Sequence, residues 1–153
     1  MTAVPRARLA LVLATLLTAA ACEERDPDLL PDAQLRAELG LTDDDRVHTV
    51  LLSTAEGERA DPDSLEVLPG DLVQLVSDDW MVHEVAFDLE AAAGAARSYL
   101  ERTGQAHSPP LLQRGARFVL TFADAPPGRY PYRLTGNRAG GEGVIVVAAV
   151  EGR

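Results

Sequence analysis

A single cysteine limits what this chain can build. Cys22 closes an apolar N-terminal run, and every residue after it is thiol-free. One cysteine cannot pair within a chain, so a disulfide framework is excluded. A Cys-ligated zinc knuckle or iron–sulfur cluster is excluded for the same reason. The fold must stand on its hydrophobic core. With 153 residues and 46% apolar content, the chain has material for one modest domain after an export signal is removed. It contains no lysine, and its arginines are scattered. Phosphate binding calls for a basic stripe, which argues against nucleic acid as a partner.

The segment before the cysteine reads as an address. Arg6 and Arg8 precede an apolar run from Leu9 to Leu17, followed by Thr18-Ala19-Ala20-Ala21-Cys22. A short basic region, a brief apolar stretch and small residues make a signal peptide over 1–21. The run is too short to span a bilayer, which takes about 20 residues. Ala19-Ala20-Ala21 before Cys22 also resembles a bacterial lipobox, which implies lipidation of Cys22 and a membrane anchor. Ala19-x-Ala21 serves an ordinary signal peptidase equally well. The expected location is the bacterial cell envelope, periplasmic or extracytoplasmic. Removal of Arg6 and Arg8 leaves 12 basic and 24 acidic residues, a formal net charge of −12. That excess favours solubility and repels anionic surfaces, so membrane attachment would come from acyl chains.

Residues 22–45 read as the anchor cysteine, an acidic proline-bearing tether and a short helix. Asp32 caps that helix, Leu35 and Leu39 share a face, and Gly40 suits its end. A β-rich domain spans 46–150. Its expected strands fall at 47–52, 64–68, 72–76, 81–87, 117–122, 129–134 and 143–149. Pro69-Gly70-Asp71 marks a turn between two of them. The two-residue period puts His83, Val85 and Phe87 on one face, and likewise Tyr130, Tyr132 and Leu134. One inserted helix is expected over 89–102, capped by Asp88, with Leu89, Ala93, Ala96 and Leu100 as its apolar stripe. Roughly seven strands and one inserted α-helix predict an all-β, Greek-key β-sandwich.

Two blocks carry a family resemblance. Residues 63–76, with the Pro-Gly-Asp turn, are followed by His83-Glu-Val-Ala-Phe87. The second block is Ala125-Pro-Pro-Gly-Arg-Tyr-Pro-Tyr-Arg-Leu134, then Gly143-Val-Ile-Val-Val147. In order and spacing they resemble the cupredoxins, the family of plastocyanins and azurins, over about residues 46–149. The resemblance implies a type-1 copper site of two histidines, a thiolate and a weak axial methionine. His83 matches the first histidine. Leu134 stands at the cysteine position and Asn137 at the second histidine, and no methionine lies in 138–143. The expectation is therefore a cupredoxin-like fold without type-1 copper and with no cofactor.

His83 reads either as a metal ligand or as a hydrogen-bonded core histidine. The alternative function is a copper-binding electron carrier with a non-blue site on His83, to which His48 and His107 are weaker candidates. Asp78 and Asp79 beside His83 could hold a hard cation, although a solvated turn suits them better. Trp80 and Met81 form a candidate contact for an envelope protein, or Trp80 closes the core. No Gly-x-Ser-x-Gly elbow, His-Glu-x-x-His or phosphate loop occurs, so an enzyme is not expected.

Overall fold

Side-chain alternation divides the strands into an inward apolar set and an outward polar one, and two sheets close over the inward set. The computed structural model describes residues 26–150. Cys22 and the expected 1–21 signal lie outside them. The strands are β1 (Val47–Ser53), β2 (Arg59–Asp61), β3 (Ser64–Val67), β4 (Leu72–Ser77), β5 (His83–Phe87), β6 (Arg117–Thr121), β7 (Gly128–Gly136) and β8 (Gly141–Val147). The first sheet has the order β2-β1-β4-β6, and the second β3-β8-β7-β5. β1 runs parallel to β4 and β3 parallel to β8, while the remaining neighbours are antiparallel. From β2 to β7 each strand is followed by one in the other sheet, while β1–β2 and β7–β8 pair within a sheet, a Greek-key arrangement.

The core lies between the sheets. Val50, Leu52, Val73, Leu75 and Leu120 face Val85, Phe87, Tyr130, Tyr132, Leu134 and Ile145. Both expected inward trios are buried. Tyr130 meets Phe122 edge-on at 5.4 Å, and its hydroxyl donates to the Pro126 carbonyl at 2.7 Å. Burying the ring costs nothing in unmet hydrogen bonding.

Two helices flank the sandwich. α1 (Ala33–Leu39) starts where the Asp32 side chain accepts from Leu35 N–H and ends at Gly40 in the left-handed region. Leu35 is buried against Val47, Leu72 and Val119 on the outer face of the first sheet. Leu39, expected on the same buried face, is 50% exposed. A seven-residue helix turns its last residue past the edge of the strands. Arg117 ties the helix start down through Asp32 at 2.8 Å. A 3-10 turn at Pro27–Leu29 also lies against β1.

α2 (Gly94–Thr103) begins later than expected, with Ala93 as its N-cap. The Asp88 carboxylate accepts from Glu90 and Ala91 N–H and holds 88–91 as a separate turn. That offset changes the buried stripe to Ala92, Ala96, Tyr99 and Leu100, leaving Ala93 exposed. β2 is also additional to the expected strands. It is three residues long with only Ala60 buried, too short to show a period.

Candidate functional site

The site lies at the end of the sandwich where β1, β4, β5 and β7 turn. β5 begins with His83, whose inward parity places the ring wholly inside, at 0% exposure. Its backbone exchanges hydrogen bonds with Leu111 at 3.1 and 2.8 Å, which fixes the Cα position from the edge side. Both ring nitrogens then meet carboxylates. Nδ1 lies 2.7 Å from Glu58 Oε2, and Nε2 lies 2.9 Å from Asp79 Oδ1.

The Asp79 carboxylate organises the β4–β5 loop. One oxygen accepts from Thr54 N–H and Oγ1–H, both at 2.9 Å, and the other from Met81 N–H at 2.9 Å. Burial pushes the carboxyl up. Donation from Met81, His83 and Thr54 outweighs that and holds it down at about 2. Asp79 is therefore ionised, and His83 Nε2 donates to it. Asp78 points elsewhere, to Arg114 at 3.1 Å. The two aspartates thus do not act as one cation site.

Glu58 arrives from the β1–β2 connection, and its backbone N–H donates to the Ala139 carbonyl at 2.8 Å. Its side chain is fully enclosed, as is that of His83. Oε1 has no hydrogen-bond partner among the described residues. The β7–β8 turn makes room for it with glycine. A Cβ on Gly136 would stand 2.3 Å from Glu58 Oε1, and one on Gly141 would stand 2.0 Å from the Glu58 carbonyl oxygen. Neither is a distance that real atoms adopt, so both glycines are required by close approach.

The other candidates are scattered. Leu134 is fully buried beside Val85 and Gly141, and Asn137 is exposed on the turn. His48 lies at the far end of β1, where Nε2 meets Asp71 Oδ2 at 2.7 Å. His107 is exposed, on a segment bridged to Ala86. The three histidines do not converge. Trp80 is 75% exposed, so it does not close the core, and Met81 is half-buried beside it.

These side chains do not fit a copper held by a thiolate and two imidazoles. Leu134 offers no donor, Asn137 faces outward, and His83 has both nitrogens engaged. Glu58 and Asp79 also sit on opposite edges of the imidazole, so they cannot chelate one ion together with it. Among the described residues no group of three His, Cys, Asp or Glu side chains is arranged to hold a metal.

Sequence reasoning placed His83 and raised Asp79 as its neighbour, but it missed Glu58. Glu58 stands in a polar stretch 25 residues before His83, with no period or motif to distinguish it. A separate open groove of about 510 Å³ lies on the outer face of the second sheet, lined by Asp63, Arg129, Pro131, Arg133, Glu142 and Val144. No described helix is long and apolar enough to cross a membrane.

No family model matches the chain. Among solved structures, a mutant fern plastocyanin is 21% identical, with 65% of this chain and 99% of that one covered and a TM-score of 0.50. A point mutant of amicyanin in its Cu(I) form is 26% identical over 80% of this chain and 95% of that one, with a TM-score of 0.47. A purple cupredoxin from Nitrosopumilus maritimus is 20% identical over 66% and 99%, at 0.43. The plastocyanin likeness and the strand order agree on a cupredoxin-like sandwich.

Proposed function

We propose that this chain, a cupredoxin-like sandwich, is an exported, lipid-anchored module of the cell envelope that works without type-1 copper. It binds or braces an envelope partner and carries out no catalysis. The observation that carries the reading is His83: the family's first ligand position is wholly buried, with each ring nitrogen on its own carboxylate. An imidazole so held is a structural cross-link. Function then passes to the surface at the same end, where exposed Trp80, with half-buried Met81 beside it, offers an aromatic contact. Attachment to the membrane runs through acyl chains on Cys22.

The test is a copper titration of the purified chain carrying Cys22→Ser, so that the lone thiol does not compete. The expected result is no visible absorption band and no stoichiometric bound copper. Tight binding of Cu(II) that disappears in His83→Ala overturns the reading in favour of a non-blue electron carrier. For the anchor, Cys22→Ala is expected to move the protein from the membrane fraction to the soluble one. Unchanged fractionation removes that part of the proposal.

A further inference from the structure

The displaced ligands account for only half of what the site contains. Leu134 and Asn137 offer His83 no metal-binding partner, but they do not say what its Nδ1 meets. That place is taken by a carboxylate.

We infer that Glu58 is a built-in occupant of the volume that a metal would need, so that the site is closed by an internal hydrogen-bonded pair as well as by missing ligands. Four observations meet at this residue. Its Oε2 takes the Nδ1 direction at 2.7 Å, the direction along which that nitrogen would bind anything else. Its side chain and that of His83 are both fully enclosed, so the pair is not an incidental surface contact. Gly136 and Gly141 leave its carboxylate and its backbone the space they fill. Its N–H holds the Ala139 carbonyl, fastening the β1–β2 connection to the turn that would otherwise carry ligands.

Nε2 donates to the ionised Asp79, a charge-assisted bond, and one shared proton joins Nδ1 to Glu58 Oε2 at 2.7 Å whichever of the two carries it. Such charge-assisted bonds are roughly twice as strong as neutral ones, and the low surrounding dielectric strengthens them further. The orphan Oε1 is the cost of this arrangement, since the second oxygen of Glu58 was enclosed along with the first. A cation entering would have to displace the carboxylate, which is tied to the turn through its own backbone.

The inference deepens the metal-free reading and rests on it, and the experiment separates the two. Restoring the ligand types with Leu134→Cys and Asn137→His is expected to leave a chain that binds Cu(II) weakly and without colour, because Glu58 still holds Nδ1. Adding Glu58→Gly is expected to tighten Cu(II) binding at least a hundredfold and to produce the intense visible band of thiolate-bound copper. If the double variant already binds within tenfold of the triple, Glu58 is no barrier and the inference falls, while the metal-free reading of the natural chain stands. If the natural chain binds copper through His83, it is that reading which falls. A second measurement needs no ligand engineering: in nitrogen NMR of the otherwise unsubstituted chain, Glu58→Ala should move the His83 Nδ1 signal as its hydrogen bond is lost. An Nδ1 signal unmoved by Glu58→Ala overturns the inference.

Discussion

The two ends of the sandwich each bury a histidine against a carboxylate, yet the two pairs are built differently. At the β1 entrance, Asp71 serves His48 at 2.7 Å, accepts from Leu68 N–H at 3.0 Å and lies 3.6 Å from Arg46 Nε. Every oxygen of Asp71 has a partner, and the arginine reaches solvent. At the other end, His83 is shared between two carboxylates, and Glu58 keeps one oxygen with no partner. The first pair staples the Pro69-Gly70-Asp71 turn, as a local fold needs. The second ties three connections together through two carboxyl side chains on one ring. An arrangement that leaves a buried polar atom unmet is not what turn formation alone would select.

Removing each histidine should expose this difference most strongly. His83→Ala leaves two carboxylates facing each other around a void and is expected to cost about 3–5 kcal/mol in urea unfolding. His48→Ala leaves Asp71 with Leu68 and Arg46 and should cost about 1–2 kcal/mol. Equal losses would make both pairs the same kind of staple.

Acid should act next. The Asp79 carboxyl sits below its ordinary value of 3.8, at about 2. A depressed acid contributes stability that is present in full above its unfolded value and is lost as pH falls through its folded one. Some 2 kcal/mol should thus disappear between about pH 4 and pH 2. The side-chain carboxyl signal of Asp79 in NMR should titrate near 2, and Thr54→Val should raise that midpoint. A midpoint close to 4 in the unsubstituted chain removes this contribution.

Glycine substitutions sharpen the comparison further. Gly141→Ala drives a methyl into backbone and should cost about 1–3 kcal/mol, with Gly136→Ala close behind. Gly94→Ala meets nothing within 4 Å at the start of α2 and should be neutral or stabilise by under about 1 kcal/mol. Calorimetry that found all three alike would show that the β7–β8 turn yields easily. The smallest change in stability belongs to Trp80→Ala, within about 0.5 kcal/mol, since the ring is largely in water. Any loss of partner binding in that variant would then be a loss of contact and not of fold.

Much of the scaffold was legible because its signals are local. Parity along 83–87 and 130–134 identified inward side chains, and Asp32 with Gly40 marked both ends of α1. Where a second local signal competed, the reading slipped. Asp88 does cap, but it caps a turn, so the helix and its stripe moved by several residues. Leu39 has the right spacing and no surface to cover it. The site was half legible for a different reason. His83 and Asp79 are four residues apart and announced each other, whereas Glu58 reaches His83 only through the folded path of β1, β2 and the β7–β8 turn. Nothing in Glu56-Gly57-Glu58 separates the enclosed acid from its exposed neighbour.

The docking of the N-terminal turn and α1 against the first sheet has a bearing on orientation. Four peptide links separate Cys22 from Asp26, a reach of about 14 Å at full extension. In the anchored form proposed above, Asp26 would lie within that distance of the lipid-linked residue. The domain would ride close over the bilayer with the outer face of its first sheet held nearest the attachment point. The outer face of the second sheet, with its groove between Arg129 and Arg133, would look the other way, into the aqueous space.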